Sequence, residues 1–221
     1  MKKIIFTIAA ILFIVTSCKK HTILDPSDRT LKIGNIYCDD GSVVDPVTYK
    51  ETDQNNAVGV IFWVNSVDST QNKALVVSLD NISGNLQWMD TLADVKVSSS
   101  ITAFDGEENT NIIQTFSLKN EVSAPASENV IRYKYKDVDC WFLPSVGQLV
   151  EIYKQKEILY KSFDVCLGQD FDDVWYWSSN QDNAGDESKK YNAMVVSLTE
   201  GKIHASRKMD FHSVRPVKAI K

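Results

Sequence analysis

"WFLPSVGQLVEIYKQKEIL" (141–159) opens a helix at Leu143-Pro144-Ser145 and continues with helical spacing. Ser145 stands where the helix must begin and Gln148 follows three residues later, the capping-box pattern. Leu149, Ile152, Tyr153 and Lys156 recur along one face, so the spacing predicts a helix laid against an apolar surface. "AVGVIFWV" (57–64) and "KALVVSLD" (73–80) are continuous apolar runs separated by the polar "NSVDSTQN", and they read as adjacent buried strands.

Working outward, "KIGNIYCDDGSVV" (32–44) alternates and turns at Asp40-Gly41, a hairpin signal. In "FDGEENTNIIQTF" (104–116), Ile112, Ile113 and Phe116 are spaced for a helix, with Asn109 and Thr110 as its expected caps. "SAPASENVIRYKYK" (123–136) predicts a second short helix. "VWYWSSN" (174–180), "YNAMVVSLTEGKIHAS" (191–206) and "HSVRPVKAI" (212–220) supply three terminal strands, with Glu200-Gly201 turning between two of them. "ALVVSLDNISGN" (74–85) echoes "AMVVSLTEGKIH" (193–204), which points to two similarly placed strands. The class expected is α+β, with short antiparallel strands and one or two helices.

The chain has 221 residues and opens on Lys2, Lys3 and an apolar run from Ile4 to Val15, the form of an export signal. The run is short for a membrane span. "VTSC" (15–18) resembles a bacterial lipobox, so residues 1–17 are expected to be removed and Cys18 lipidated. Two or more acyl chains anchor a protein durably. Residues 18–30, with Pro26, then read as a tether, and 31–221 as one domain. Lys19 and Lys20, rather than acidic residues, follow Cys18. The expected location is therefore the outer membrane, with the cell surface and the periplasmic face both open.

Removal of 17 residues would leave 221 − 17 = 204 and shift the formal charge from −5 to −7, since Lys2 and Lys3 go with the signal. An acidic chain is a poor partner for nucleic acid. Cys38, Cys140 and Cys166 would remain, an odd number without C-x-x-C spacing. That favours buried structural thiols, with room for one bridge, over a zinc or redox site.

"WFLPS" (141–145), "YWSS" (176–179), the turn at Gly201 and "VRPV" (214–217), in that order, give the chain a family likeness. It resembles the surface-lipoprotein branch of the domain family found at the C-terminus of the Legionella collagen-like adhesin. That resemblance implies a C-type-lectin-like, formylglycine-generating-enzyme-like fold over about Leu31 to Lys218. The physical reading of "VRPVK" agrees with a frame role. Pro216 cannot donate to a ladder and belongs at an edge or an end. Arg215, if it points inward, calls for a carboxylate partner.

Catalysis is not expected. Formylglycine generation uses paired cysteines near the chain end with copper, and here the last cysteine is Cys166. His204 and His212 are the only histidines beyond the tether, and "DFDDVW" (170–175) reads as a solvated acidic loop. "NQDNAGDES" (180–188) has oxygen ligands but lacks the spaced acidic loop of a calcium site, so no cofactor is expected, with calcium left open as the one alternative.

Binding remains, and the resemblance places it near the C-terminal strands. A glycan needs aromatic faces and planar polar groups. Trp175, Tyr176 and Tyr191, with Asn180, Asp182, Asn183 and Asn192, supply both, and His204, Arg207 and Lys208 add a basic cluster. Strand alternation sends only half of them to one face. The expectation is a non-enzymatic envelope lipoprotein that binds a glycan or an envelope or host protein. The alternative is a structural component of a fimbria-like complex.

Overall fold

The two apolar runs pair as the sequence leads one to expect. The structure, a computed structural model, describes residues 31–52, 56–66 and 72–221. The signal peptide, Cys18 and tether lie outside the described residues. Strand β3 (Ala57–Val64) runs antiparallel to β4 (Ala74–Ser78). The hairpin of β1 (Ile36–Cys38) and β2 (Val43–Val44), turned at Gly41, joins the other side of β3. Two further strands, β9 (Val217–Ile220) and the short β5 (Trp141–Phe142), complete a six-stranded sheet ordered β2-β1-β3-β4-β9-β5.

Both faces of this sheet are covered, which is why its central strands are apolar without alternation. Val58, Ile61, Ala74 and Val76 join a cluster with Trp88, Ile113, Val130 and Trp177. The alternate residues Val60, Phe62, Leu75 and Val77 pack with Leu149, Ile152, Leu159 and Phe163 of helix α3 (Val146–Cys166). Helices α1 (Gly106–Asn120) and α2 (Pro125–Arg132) contribute to the first cluster.

A second, three-stranded sheet is built from β6 (Trp175–Gln181), β7 (Asn192–Ser197) and β8 (Ile203–Arg207), in that order. A six-residue helix, α4 (Asp186–Tyr191), fills the β6–β7 connection. The mixed α+β class therefore holds, with four helices among the described residues rather than one or two. The terminal segments hold four strands rather than three. The internal echo has a structural counterpart, because β4 and β7 each sit between two partners in their sheets.

One cap differs from expectation. Helix α1 starts three residues before Asn109, after Asp105, so Asn109 and Thr110 lie inside its first turns and are buried. Thr110 Oγ1 donates to Gly106 O and Asn109 Nδ2 to Asp105 Oδ1. The α3 cap is as predicted. The Ser145 hydroxyl accepts from Gln148 N at 3.3 Å, and Ser145 N donates to Gln148 Oε1 at 2.8 Å. Ser145 Oγ also donates to Ala103 O at 2.7 Å, which fastens the helix start to the chain before α1. Gly147 is required beside it, since a Cβ there would lie 2.6 Å from Ala103 O.

Arg215 is fully buried but has no carboxylate in its contact shell, contrary to expectation. Its guanidinium donates to Ser78 O, Leu79 O and Gln169 O at 2.8–2.9 Å and to Asn81 Oδ1 at 3.2 Å. Phe163 and Phe171 cover its faces at 5.1 and 5.0 Å. Pro216 stands just ahead of β9, at the strand end its missing N–H demands.

Replacing Ser145 by Ala removes one acceptor and one donor from the start of α3. The loss should be about 1 to 2 kcal/mol of stability, read as a lower denaturant midpoint with an unchanged slope.

Candidate functional site

The small sheet carries all ten residues singled out as a binding surface, or their immediate connections, and it divides them. Tyr176, Asn180 and Lys208 have no exposed surface, and Asp182 is nearly covered. These four do not belong to a solvent-facing site, which corrects the sequence reading. Each has an internal task. The Tyr176 hydroxyl accepts from Asp172 N at 2.9 Å. Asn180 Oδ1 accepts from Val146 N at the start of α3, and its Nδ2 donates to Ser98 O and Ser100 O. Asp182 accepts from Ala184 N and from Ser188 Oγ, which folds the chain into α4.

The remaining six are exposed or half-buried and are divided between the two faces of the small sheet and the β6–β7 connection. The rings of Trp175 and His204 meet at 5.7 Å. Asn192 pairs with Arg207 and Val195 with His204, so alternation sets His204 and Arg207 on opposite faces of β8. Tyr191 ends α4, and Asn183 reaches toward Ser99 O at 3.4 Å. The basic cluster of His204, Arg207 and Lys208 therefore does not form.

Two features escaped the sequence reading. The first is the outer side of β8. Ser197 N donates to Lys202 O and Lys208 N to Tyr191 O. The antiparallel alternation then makes Val195–His204 and Ala193–Ser206 hydrogen-bonded pairs and turns the N–H and C=O of Ile203 and Ala205 outward. Among the described residues no strand pairs with that side. By contrast, the outer side of β6 is occupied by the chain at Ser213 and by Pro144 O. Around β8 stand Phe211, Met209, Tyr191 and Ile203, exposed by 62, 44, 41 and 39%. Ile203 opens β8 and the other three stand by its far end, a placement no sequence pattern announces.

The second is the interior around Lys208. Its Nζ donates to Ala93 O at 2.5 Å, to Gln181 Oε1 at 2.7 Å and to Lys189 O at 2.7 Å, and lies 4.7 Å from the Trp88 ring centre. Burial pushes its pKa down to about 7, with Asp94 acting weakly the other way.

An open groove of about 690 Å³ runs along α1, bordered by Val95, Phe104, Ile112 and Phe116 with Glu108 and Lys119. None of the ten candidates borders it. Burial pushes the free thiols of Cys38 and Cys166 up to about 12 and about 11, so neither offers a thiolate near neutral pH. Among the described residues no three His, Cys, Asp or Glu side chains converge as a metal site, and no helix is long and apolar enough to cross a membrane.

No family model matches the chain, and no curated relative matches it. The collagen-like-adhesin resemblance thus finds no support there. The fold is similar to that of a fimbrial protein from Bacteroides ovatus, at 18% identity and a TM-score of 0.61. The similarity covers 85% of this chain and 48% of that one, so this chain spans about half of its neighbour's length.

The half-buried His212 gives a pH test of this end of the fold. Its Nε2 lies 2.8 Å from Ser206 Oγ, and its ring meets Trp177 edge-on at 4.7 Å. Burial lowers its pKa below the ordinary 6.5, Asp210 opposing and His204 adding to the shift. The unfolded imidazole then binds its proton at a higher pH than the folded one. Stability from this group is complete above 6.5 and falls as the pH drops below it. Thermal midpoints should decline between 6.5 and the carboxylate range, and His212→Gln should flatten that decline. Equal slopes in both proteins would refute the assignment.

Proposed function

We propose that this chain is a non-catalytic structural or assembly component of a cell-surface or fimbria-like complex, tethered to the outer membrane through a lipidated Cys18. The open edge of β8 is the observation that carries the reading. A strand edge with unpaired N–H and C=O groups accepts an added strand, and the apolar residues around it extend the contact. Ile203, Tyr191, Met209 and Phe211 surround this edge. Exposed apolar groups beside an open edge extend the surface a protein partner can cover. The fold likeness to a fimbrial protein supports the same direction.

Glycan binding by the C-terminal loops is the weaker reading, because Tyr176, Asn180 and Lys208 are spent on internal contacts. An enzyme is weaker still, as the two free thiols are held protonated.

Ala205→Pro separates the edge from the ladder. The Ala205 N–H faces away from β7, so proline there should leave the fold intact while blocking strand addition. Cross-linking in intact cells should recover one envelope protein in stoichiometric amount from the wild type and lose it with Ala205→Pro. Capture undiminished by the proline would overturn the edge as the docking element. Binding to a polysaccharide array that is lost with Tyr191→Ala plus Arg207→Ala would restore the glycan reading. Protease treatment of whole cells tests the surface location.

A further inference from the structure

The interior beside Trp88 holds an amine, a carboxamide and a carboxylate in the order an amide-forming reaction needs. Lys208 Nζ lies 2.7 Å from Gln181 Oε1. The same oxygen accepts from Val95 N at 2.7 Å. Gln181 Nε2 donates to Asp94 Oδ1 at 2.9 Å. Lys208 has no exposed surface and Gln181 is 2% exposed. The Trp88 ring closes one side, its own Nε1 fixed by Ser178 O at 2.8 Å. Ala93 O and Lys189 O hold the amine in place.

We propose that Lys208 and Gln181 join in an intramolecular isopeptide bond. The reaction starts once Lys208 has released its ammonium proton to solvent. Nζ, as the free amine, moves from the carboxamide oxygen to the adjoining Cδ and forms the new C–N bond. The carbonyl electron pair shifts onto Oε1, where the Val95 N–H already points. The Asp94 carboxylate takes the proton that Nζ must now lose and delivers it to Nε2, the atom it already contacts. As the carbonyl re-forms, the Cδ–Nε2 bond breaks and ammonia leaves. One secondary amide and one ammonia result, with no oxidant, metal or cofactor consumed.

Three physical circumstances favour the step. Fixing both reactants in one enclosure replaces a bimolecular encounter. Exclusion of water removes the competing hydrolysis of the carboxamide. Burial brings the free amine within reach near neutrality, since the Lys208 pKa falls to about 7. Against a desolvation penalty, hydrogen bonds from Lys96 and Gln181 hold Asp94 down to about 2, so it is ionised but a weak base, which slows the relay. The three carbonyl acceptors around Nζ oppose deprotonation, which makes slow maturation after folding the expected course.

The bond would tie the last residue of β6 to the residue after β8 and anchor both outer strands of the small sheet. It does not depend on the assembly reading. The test is the intact mass and tryptic map of the purified full chain after prolonged incubation at mildly alkaline pH. The expected mass lies one ammonia below that of the processed sequence. The expected map contains a branched peptide joining Gln181 to Lys208, uncut after Lys208. Gln181→Glu should lose one water instead. Asp94→Asn keeps the shape but not the relay, and should slow formation about a hundredfold; cooperative thermal unfolding checks that this variant is folded. A wild-type chain that keeps its full mass with unbranched peptides overturns the proposal. A folded Asp94→Asn variant that matures at the wild-type rate overturns the role of Asp94.

Discussion

A guanidinium with no exposed surface fastens the large sheet to the α3 side of the fold. Arg215 gathers the end of β4 through Ser78 O, Leu79 O and Asn81, and the chain after α3 through Gln169 O, while Phe163 and Phe171 enclose it. Removing an ion from water costs several kcal/mol even after relaxation. Four hydrogen bonds to a charged donor, each of about 1.5–3 kcal/mol, offset that cost, and the aromatic faces add to it. A carboxylate would bring a second desolvation penalty and its own need for donors. Ser78 O faces Pro216, which has no N–H to offer it, so the cation satisfies a strand-end carbonyl the ladder would otherwise leave bare.

The same solution recurs along the last part of the chain. Lys208, Arg215 and Lys218 are all buried, and each donates to main-chain carbonyls. Lys218 Nζ reaches Asp139 O at 2.6 Å, just ahead of β5. The C-terminal segment thus fastens itself through cations to five separated parts of the chain, around 78–81, 93, 139, 169 and 181–189. It acts as the closing element of both sheets.

What the sequence revealed was the part governed by local rules. The α3 cap depends on residues three apart, and the two apolar runs declare strands whose faces are both covered. What it concealed depended on distant partners. "NQD" (180–182) looks like the start of a polar display loop, yet all three residues are buried. Asn180 serves as an extra cap for a helix more than thirty residues earlier, and Gln181 meets Asp94 across the core. Lys208 and Arg207 are neighbours of like charge with opposite fates, because β8 ends between them and the chain turns inward. The partner expected for Arg215 was wrong for a related reason. Charge pairing can be guessed from composition, whereas free carbonyls exist only once elements end in space.

The open side of β8 is limited at its far end rather than along its middle. The Asp210 carboxylate accepts from Arg207 N, and Asp210 N donates to Arg207 O, so the outward groups of Arg207 are already satisfied. The exposed, ion-paired Lys202 and Glu200 stand at the near end. Charge at the ends and a short length are how proteins keep an edge from indiscriminate pairing. Only Ile203 and Ala205 then offer free backbone groups, so a strand added there as proposed would be short. The apolar residues beyond the edge supply the area that so few hydrogen bonds cannot. Specificity at such a site comes from the side chains flanking the strand, and the buried anchoring of Lys208 directly after β8 holds that arrangement still.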